Sequence, residues 1–153
     1  MNDSQPDKLM DFKTVFVIDP VKGDRLHLAK LIKQSHLFIM SFVALNDCVK
    51  QIKALNCQLI ILVLRKEKLE IKHLLQIKKK YRDLHYVLML TADTPEVNLS
   101  ELRDKEFESI HKASDYDKVR EITYTLLWPE GLPVDQEVSN DPLAQVSGLN
   151  SMK

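Results

Sequence analysis

The chain has 153 residues, with 22 Lys and Arg balanced by 22 Asp and Glu, so no global field draws it onto nucleic acid or an acidic membrane. Three glycines leave no G-x-G-x-x-G or Walker-type phosphate loop, and the two cysteines, Cys48 and Cys57, give neither a disulfide framework nor metal-ligand spacing. No apolar run reaches the roughly 18 residues of a membrane span and the first residues lack a signal-peptide pattern, so one cytoplasmic domain is expected.

Residues 1–13 read as a polar arm. A strand-like run follows at Thr14–Asp19 (TVFVID), then a helical stretch at Asp24–Gln34 with Leu28, Leu31 and Ile32 on one stripe. The second pair is Leu37–Phe42 (LFIMSF) and Asn46–Leu55, with Val49, Ile52 and Leu55 facing inward. The third strand, Gln58–Leu64 (QLIILVL), has the unbroken apolar run of a strand buried on both faces, and a Lys/Arg pair closes it. Its helix, Leu69–Arg82, turns Leu74, Leu75 and Ile77 to the core and its lysines away.

The fourth strand is Tyr86–Thr91 (YVLMLT), and the connection at Asp93–Phe107 carries a Pro and few apolar residues, as a short or irregular helix would. A weak fifth strand, Glu108–His111 (ESIH), precedes a fifth helix at Tyr116–Trp128 with Val119, Ile122, Leu126 and Leu127 at helical spacing. Five βα units in a row require a parallel sheet with helices on both faces. The domain therefore spans residues 14–128, and residues 129–153, rich in Pro and Gly without a sustained period, read as a flexible or partner-ordered tail.

This succession resembles the receiver domain of bacterial response regulators, the flavodoxin-like fold of the chemotaxis regulator, with strand order 2-1-3-4-5. VFVID at 15–19, LMLTA at 88–92 and IHKA at 110–113 carry the resemblance. It implies a site where an Asp ending the third strand accepts a phosphoryl group. That Asp and an acid after the first strand hold Mg²⁺, and a Thr/Ser and a Lys contact the phosphoryl oxygens. A hard dication needs several oxygen ligands, and an incoming dianion needs compensating charge.

Carried across by position, the chain keeps Asp19, Thr91 and Lys112. Pro20 stands in place of the second acid, Val63 in place of the acceptor, and Ala113 in place of the Pro after the Lys. Neither Pro20 nor Val63 offers a side-chain oxygen, so tight Mg²⁺ binding and the usual phosphoryl chemistry are not expected. The retained trio also has a plainer reading: Asp19 as a turn residue or salt-bridged to Lys112, and Thr91 as a cap for the next segment.

The five histidines, at 27, 36, 73, 85 and 111, show no metal-ligand spacing. His111 beside the pocket mouth is a pH sensor or an ordinary strand-end polar residue. Lys66, Lys68, Lys72, Lys78, Lys79, Lys80 and Arg82 form either a basic patch or the solvated face of a helix whose C-terminus favours cations. Tyr124 and Trp128 fall outside the core stripe of the fifth helix. They are an exposed aromatic anchor pair, or they lie beneath a tail folded back through Leu132 or Val134.

In receivers the face of the fourth helix, fifth strand and fifth helix is the usual output surface; here it would present Ser109, His111, Tyr116, Arg120, Tyr124 and Trp128. The resulting expectation is a non-catalytic pseudo-receiver without cofactor or metal, acting on protein partners or as a homodimer through that face. The alternatives are a small-ligand sensor or enzyme with a pocket of Asp19, Thr91, His111 and Lys112, and a nucleic-acid adaptor using Lys78–Lys80, against which zero net charge argues.

Overall fold

The structure, a computed structural model, describes residues 12–65, 68–92, 94 and 110–133. Its elements are β1 (Lys13–Ile18), α1 (Lys22–Ile32), β2 (Leu37–Phe42), α2 (Leu45–Ala54), β3 (Leu59–Leu64), α3 (Lys68–Lys80), β4 (His85–Leu90), β5 (His111–Ala113) and α4 (Tyr116–Leu127). The strands form one parallel sheet in the order β2-β1-β3-β4-β5, the doubly wound flavodoxin-like arrangement.

β3 occupies the centre because all six of its side chains are apolar, and all six are buried. Alternation along the strands sorts the core into two layers. Phe16, Ile18, Ile60, Leu62 and Leu64 meet Cys48 and Ile52 of α2 and Ile71, Leu74 and Ile77 of α3. Val15, Val17, Ile61, Val63, Val87 and Met89 meet Leu28 and Ile32 of α1 and Val119 and Leu127 of α4. Two helix starts are met by carboxylates: Asp115 accepts from the Lys118 N–H at 2.7 Å, and Glu70, reaching over from α3, accepts from the Leu45 N–H at 3.1 Å.

The expected elements shift by a few residues. Asp19, Gln58 and Thr91 fall just outside the ladders they were assigned to. The weak fifth strand is displaced rather than lost: the pairing with β4 starts at His111 opposite Val87 and ends at Ala113 opposite Met89. Leu31 is only half-buried, while Leu45, Cys48 and Thr123 join the buried faces. The arm before residue 12, Lys66, the fourth connection apart from Thr94, Glu108 and Ser109, and the tail beyond residue 133 lie outside the described residues.

Candidate functional site

In a doubly wound sheet the carboxyl ends of the strands gather the side chains that face ligands. Here β1 delivers Asp19 one residue past its end, and β3 delivers Arg65 one residue past its own. The two strands are neighbours in register, Ile18 opposite Leu62, so their C-terminal residues converge.

Arg65 grips Asp19 with its fork. Nε donates to Oδ1 at 3.0 Å and a terminal nitrogen donates to Oδ2 at 2.9 Å. The same terminal nitrogen also donates to Asp24 Oδ2 at 2.7 Å. The Asp19 side chain is 1% exposed and that of Arg65 11%, whereas Asp24 is 46% exposed, so the first pair is sealed and the second is open to water. Asp19 is also fixed through the backbone: Oδ1 accepts from the Val21 N–H at 3.0 Å, and its carbonyl accepts from Arg25 at 2.9 Å. The turn role expected of Asp19 is thus present. The expected partner is not, since Arg65, not Lys112, supplies the guanidinium or ammonium ion that pairs with Asp19.

Tyr116, at the start of α4, belongs to this cluster. Burial, with the charges of Asp24 and Asp19, raises its phenol pKa, and the neighbouring Arg65 partly offsets the shift. Its ring lies edge-on to His27 of α1 at 4.9 Å. An open output face is therefore not where Tyr116 spends its side chain; α4 turns it toward α1 and the acid pair.

The remaining expected pocket residues hold contacts of their own. Thr91 Oγ1 donates to the Leu64 carbonyl at 3.1 Å, Thr94 Oγ1 donates to the same carbonyl at 2.8 Å, and the Thr91 N–H donates to Thr94 Oγ1 at 2.8 Å. The two threonines thereby close the end of β3, where Thr91 was expected to cap a following segment. The Lys112 ammonium donates to the Ile110 carbonyl at 3.0 Å. Val63 is fully buried between α1 and α4, Ala113 is buried, and Pro20 is exposed.

The exposed aromatic pair is corrected. Tyr124 is half-buried, and its hydroxyl donates to the Ile32 carbonyl at the end of α1 at 2.7 Å. Trp128 packs against the core beside it, ring centroids 6.1 Å apart. The reason is lateral: α4 packs against α1 as well as the sheet, so residues off the sheet-facing stripe are still covered. Leu132 is exposed and Val134 lies outside the described residues. Arg120 pairs with Asp117 at 3.4 Å on the surface, and His111 is exposed.

Lys78–Lys80 and Arg82 sit at the opposite pole. Lys79, Lys80 and Arg82 are exposed and Lys78 is half-buried; the Lys80 ammonium lies 5.5 Å from the Tyr81 ring. Lys80, Arg82, Lys53 and His85 border an open cavity of about 720 Å³ at the amino ends of β3 and β4, beside the C-termini of α2 and α3. Cations there complement the helix carbonyls, as the solvated-face reading expects. Among the described residues no group of His, Cys, Asp and Glu forms a metal-binding cluster, and no helix is long and apolar enough to cross a membrane.

No protein-family model matches the sequence, and no curated protein matches it either. Solved structures do match. One is the signal receiver domain of an HD-domain protein from Pseudomonas fluorescens, with TM-score 0.63 and 12% identity over 76% of this chain and 94% of that one. Another is a response regulator from Thermotoga maritima, with TM-score 0.61 and 10% identity over 76% and 98%. A third is an uncharacterized protein from Neptuniibacter caesariensis, with TM-score 0.62 and 20% identity over 82% and 99%. This is the receiver fold. At these identities the likeness is one of fold.

Arg65 and Asp24 had no place in the sequence-derived site. The signal was present in the cation that follows an apolar strand directly, because that position opens onto the carboxyl end of the sheet. What the sequence lacks is the distance from Arg65 to Asp19, 46 positions away.

Proposed function

We propose that the chain is a receiver-fold signalling module that works by binding proteins and is not regulated by aspartyl phosphorylation. The observation that carries this reading is the Arg65 guanidinium seated on Asp19 and Asp24. A dication would need those carboxylate oxygens as ligands, and an incoming phosphoryl group would need that dication. A guanidinium in their midst engages both acids and offsets one of their two negative charges while providing no Lewis acid. Val63, in the position that corresponds to the acceptor, has no oxygen and lies in the core. The domain limits proposed from sequence, 14–128 with flanking arm and tail, belong to the same reading, which requires no reaction catalysed by the chain.

Titration with Mg²⁺ and beryllofluoride, a mimic of the phosphoryl group, tests it. Backbone amide spectra read the site directly, whereas Trp128, the sole tryptophan, lies at the far end of α4 from Tyr116. We expect no saturable shift of the Asp19, Arg65 or Thr91 amides. Saturable, Mg²⁺-dependent binding would overturn the proposal.

A further inference from the structure

β2 is an edge strand, and its sequence, LFIMSF, contains no charge, no Pro and no Gly. Sheet edges left open in soluble proteins usually carry such devices, because their free N–H and C=O groups invite another strand. Four of the large apolar side chains that the structure exposes border this edge. Phe38 lies on the strand, Val43 directly follows it, Leu26 faces it from α1, and Phe12 stacks on His36 just before it. Leu26 helps line a groove of about 660 Å³ with Leu37, Ile39 and Ser41.

The backbone decides what fits. The His36 carbonyl accepts from the Lys13 N–H and the Phe42 carbonyl from the Asp19 N–H, so the even-numbered residues of β2 direct their polar groups toward β1. The odd-numbered residues, Leu37, Ile39, Ser41 and then Val43, direct theirs outward. The Leu37 N–H is already bonded to the Gln34 carbonyl, which leaves the Leu37 C=O, both groups of Ile39 and Ser41, and the Val43 N–H.

We propose that this edge is where a second copy of the chain docks, its β2 pairing antiparallel with the first about a twofold axis at Met40. In that register Ile39 and Ser41 of the two copies exchange both hydrogen bonds, and each Val43 N–H meets the other copy's Leu37 carbonyl. All the outward groups are then used, the bonded Leu37 N–H being the one that no partner needs to meet. On one face Phe38 stands opposite Phe42 and Met40 opposite Met40, an apolar row with no like charges to repel. A twofold interface must be self-complementary, and an uncharged strand with this spacing of free groups meets that condition. The two sheets become one continuous sheet, joined at the edge away from β5 and away from the face of Arg120 and Tyr124. The pairing does not depend on the absence of phosphorylation.

Sedimentation equilibrium of the full chain tests the proposal, with an expected mass twice that of the monomer. Ser41→Pro removes an outward donor without touching the β1 ladder, and Phe38→Lys places charge in the apolar row. Both are expected to be monomeric with unchanged far-ultraviolet circular dichroism. The register is tested separately by oxidation with copper phenanthroline. Met40→Cys should cross-link to its own copy, because non-hydrogen-bonded partners lie within disulfide reach, whereas Phe38→Cys should not. An intact chain that stays monomeric would overturn the proposal, including one whose Ile39 and Ser41 amides resist hydrogen exchange because another segment covers them. A dimer that survives both edge variants, or that dissociates only on Arg120→Glu, would overturn it too.

Discussion

Asp19 is a carboxylate at the end of an apolar strand with almost no access to water, a position that an unpaired charge could not hold without several kcal/mol of penalty. Arg65 resolves this locally with a two-bond fork, and replacing it with Ala leaves Asp19 buried and unpaired. Arg65→Ala should therefore lower the unfolding free energy by about 3 kcal/mol or more in urea titration. Arg65→Lys should recover only part, since an ammonium cannot reproduce the fork. The two cysteines illustrate the opposite treatment of a titratable group. Burial pushes the Cys48 and Cys57 thiols up to about 12, and a backbone hydrogen bond at each offsets part of the effect. The native thiols should resist alkylation at neutral pH and react as the chain unfolds. In the unfolded chain they deprotonate first, near the ordinary value of 9.0, so their contribution to stability is intact below that pH and is lost as pH rises toward 12. The urea midpoint should fall between pH 8 and pH 10, and by less in a Cys48→Ala/Cys57→Ala variant.

At the scale of elements, α4 differs most from its simplest description. A stripe of Val119, Ile122, Leu126 and Leu127 suggests a helix that rests on the sheet and leaves its other side to solvent. Yet Tyr124 spans to the last turn of α1, where its hydroxyl satisfies the Ile32 carbonyl, one of the groups that a helix C-terminus leaves without an intrahelical donor. Tyr124→Phe should lower stability by about 1 kcal/mol, measured by the same titration, because it removes the bond and keeps the ring. A pure surface anchor would give no such loss. β5 is the converse case, a strand of three residues whose identity comes from its partner: His111–Ala113 has little apolar pattern of its own but is held in register by Val87–Met89 of β4.

At the scale of the molecule, the sheet separates two poles and two edges. The carboxyl pole carries the Asp19–Arg65–Asp24 cluster and Tyr116, and the amino pole carries the lysines around the open cavity. The β2 edge carries the uncharged strand through which the proposed dimer pairs. The number of βα units, the central place of β3 and the inward stripes of the helices could be read from the sequence, because apolar period and length are properties of contiguous residues. The sequence did not reveal that Arg65 would fill the space beside Asp19, that Tyr116 would join it, or that Tyr124 would be bound to α1. Each depends on distances between residues 46, 51 or 92 positions apart, set by strand order and by which helices share a face of the sheet. Local pattern determined which elements form; their packing decided which charges meet.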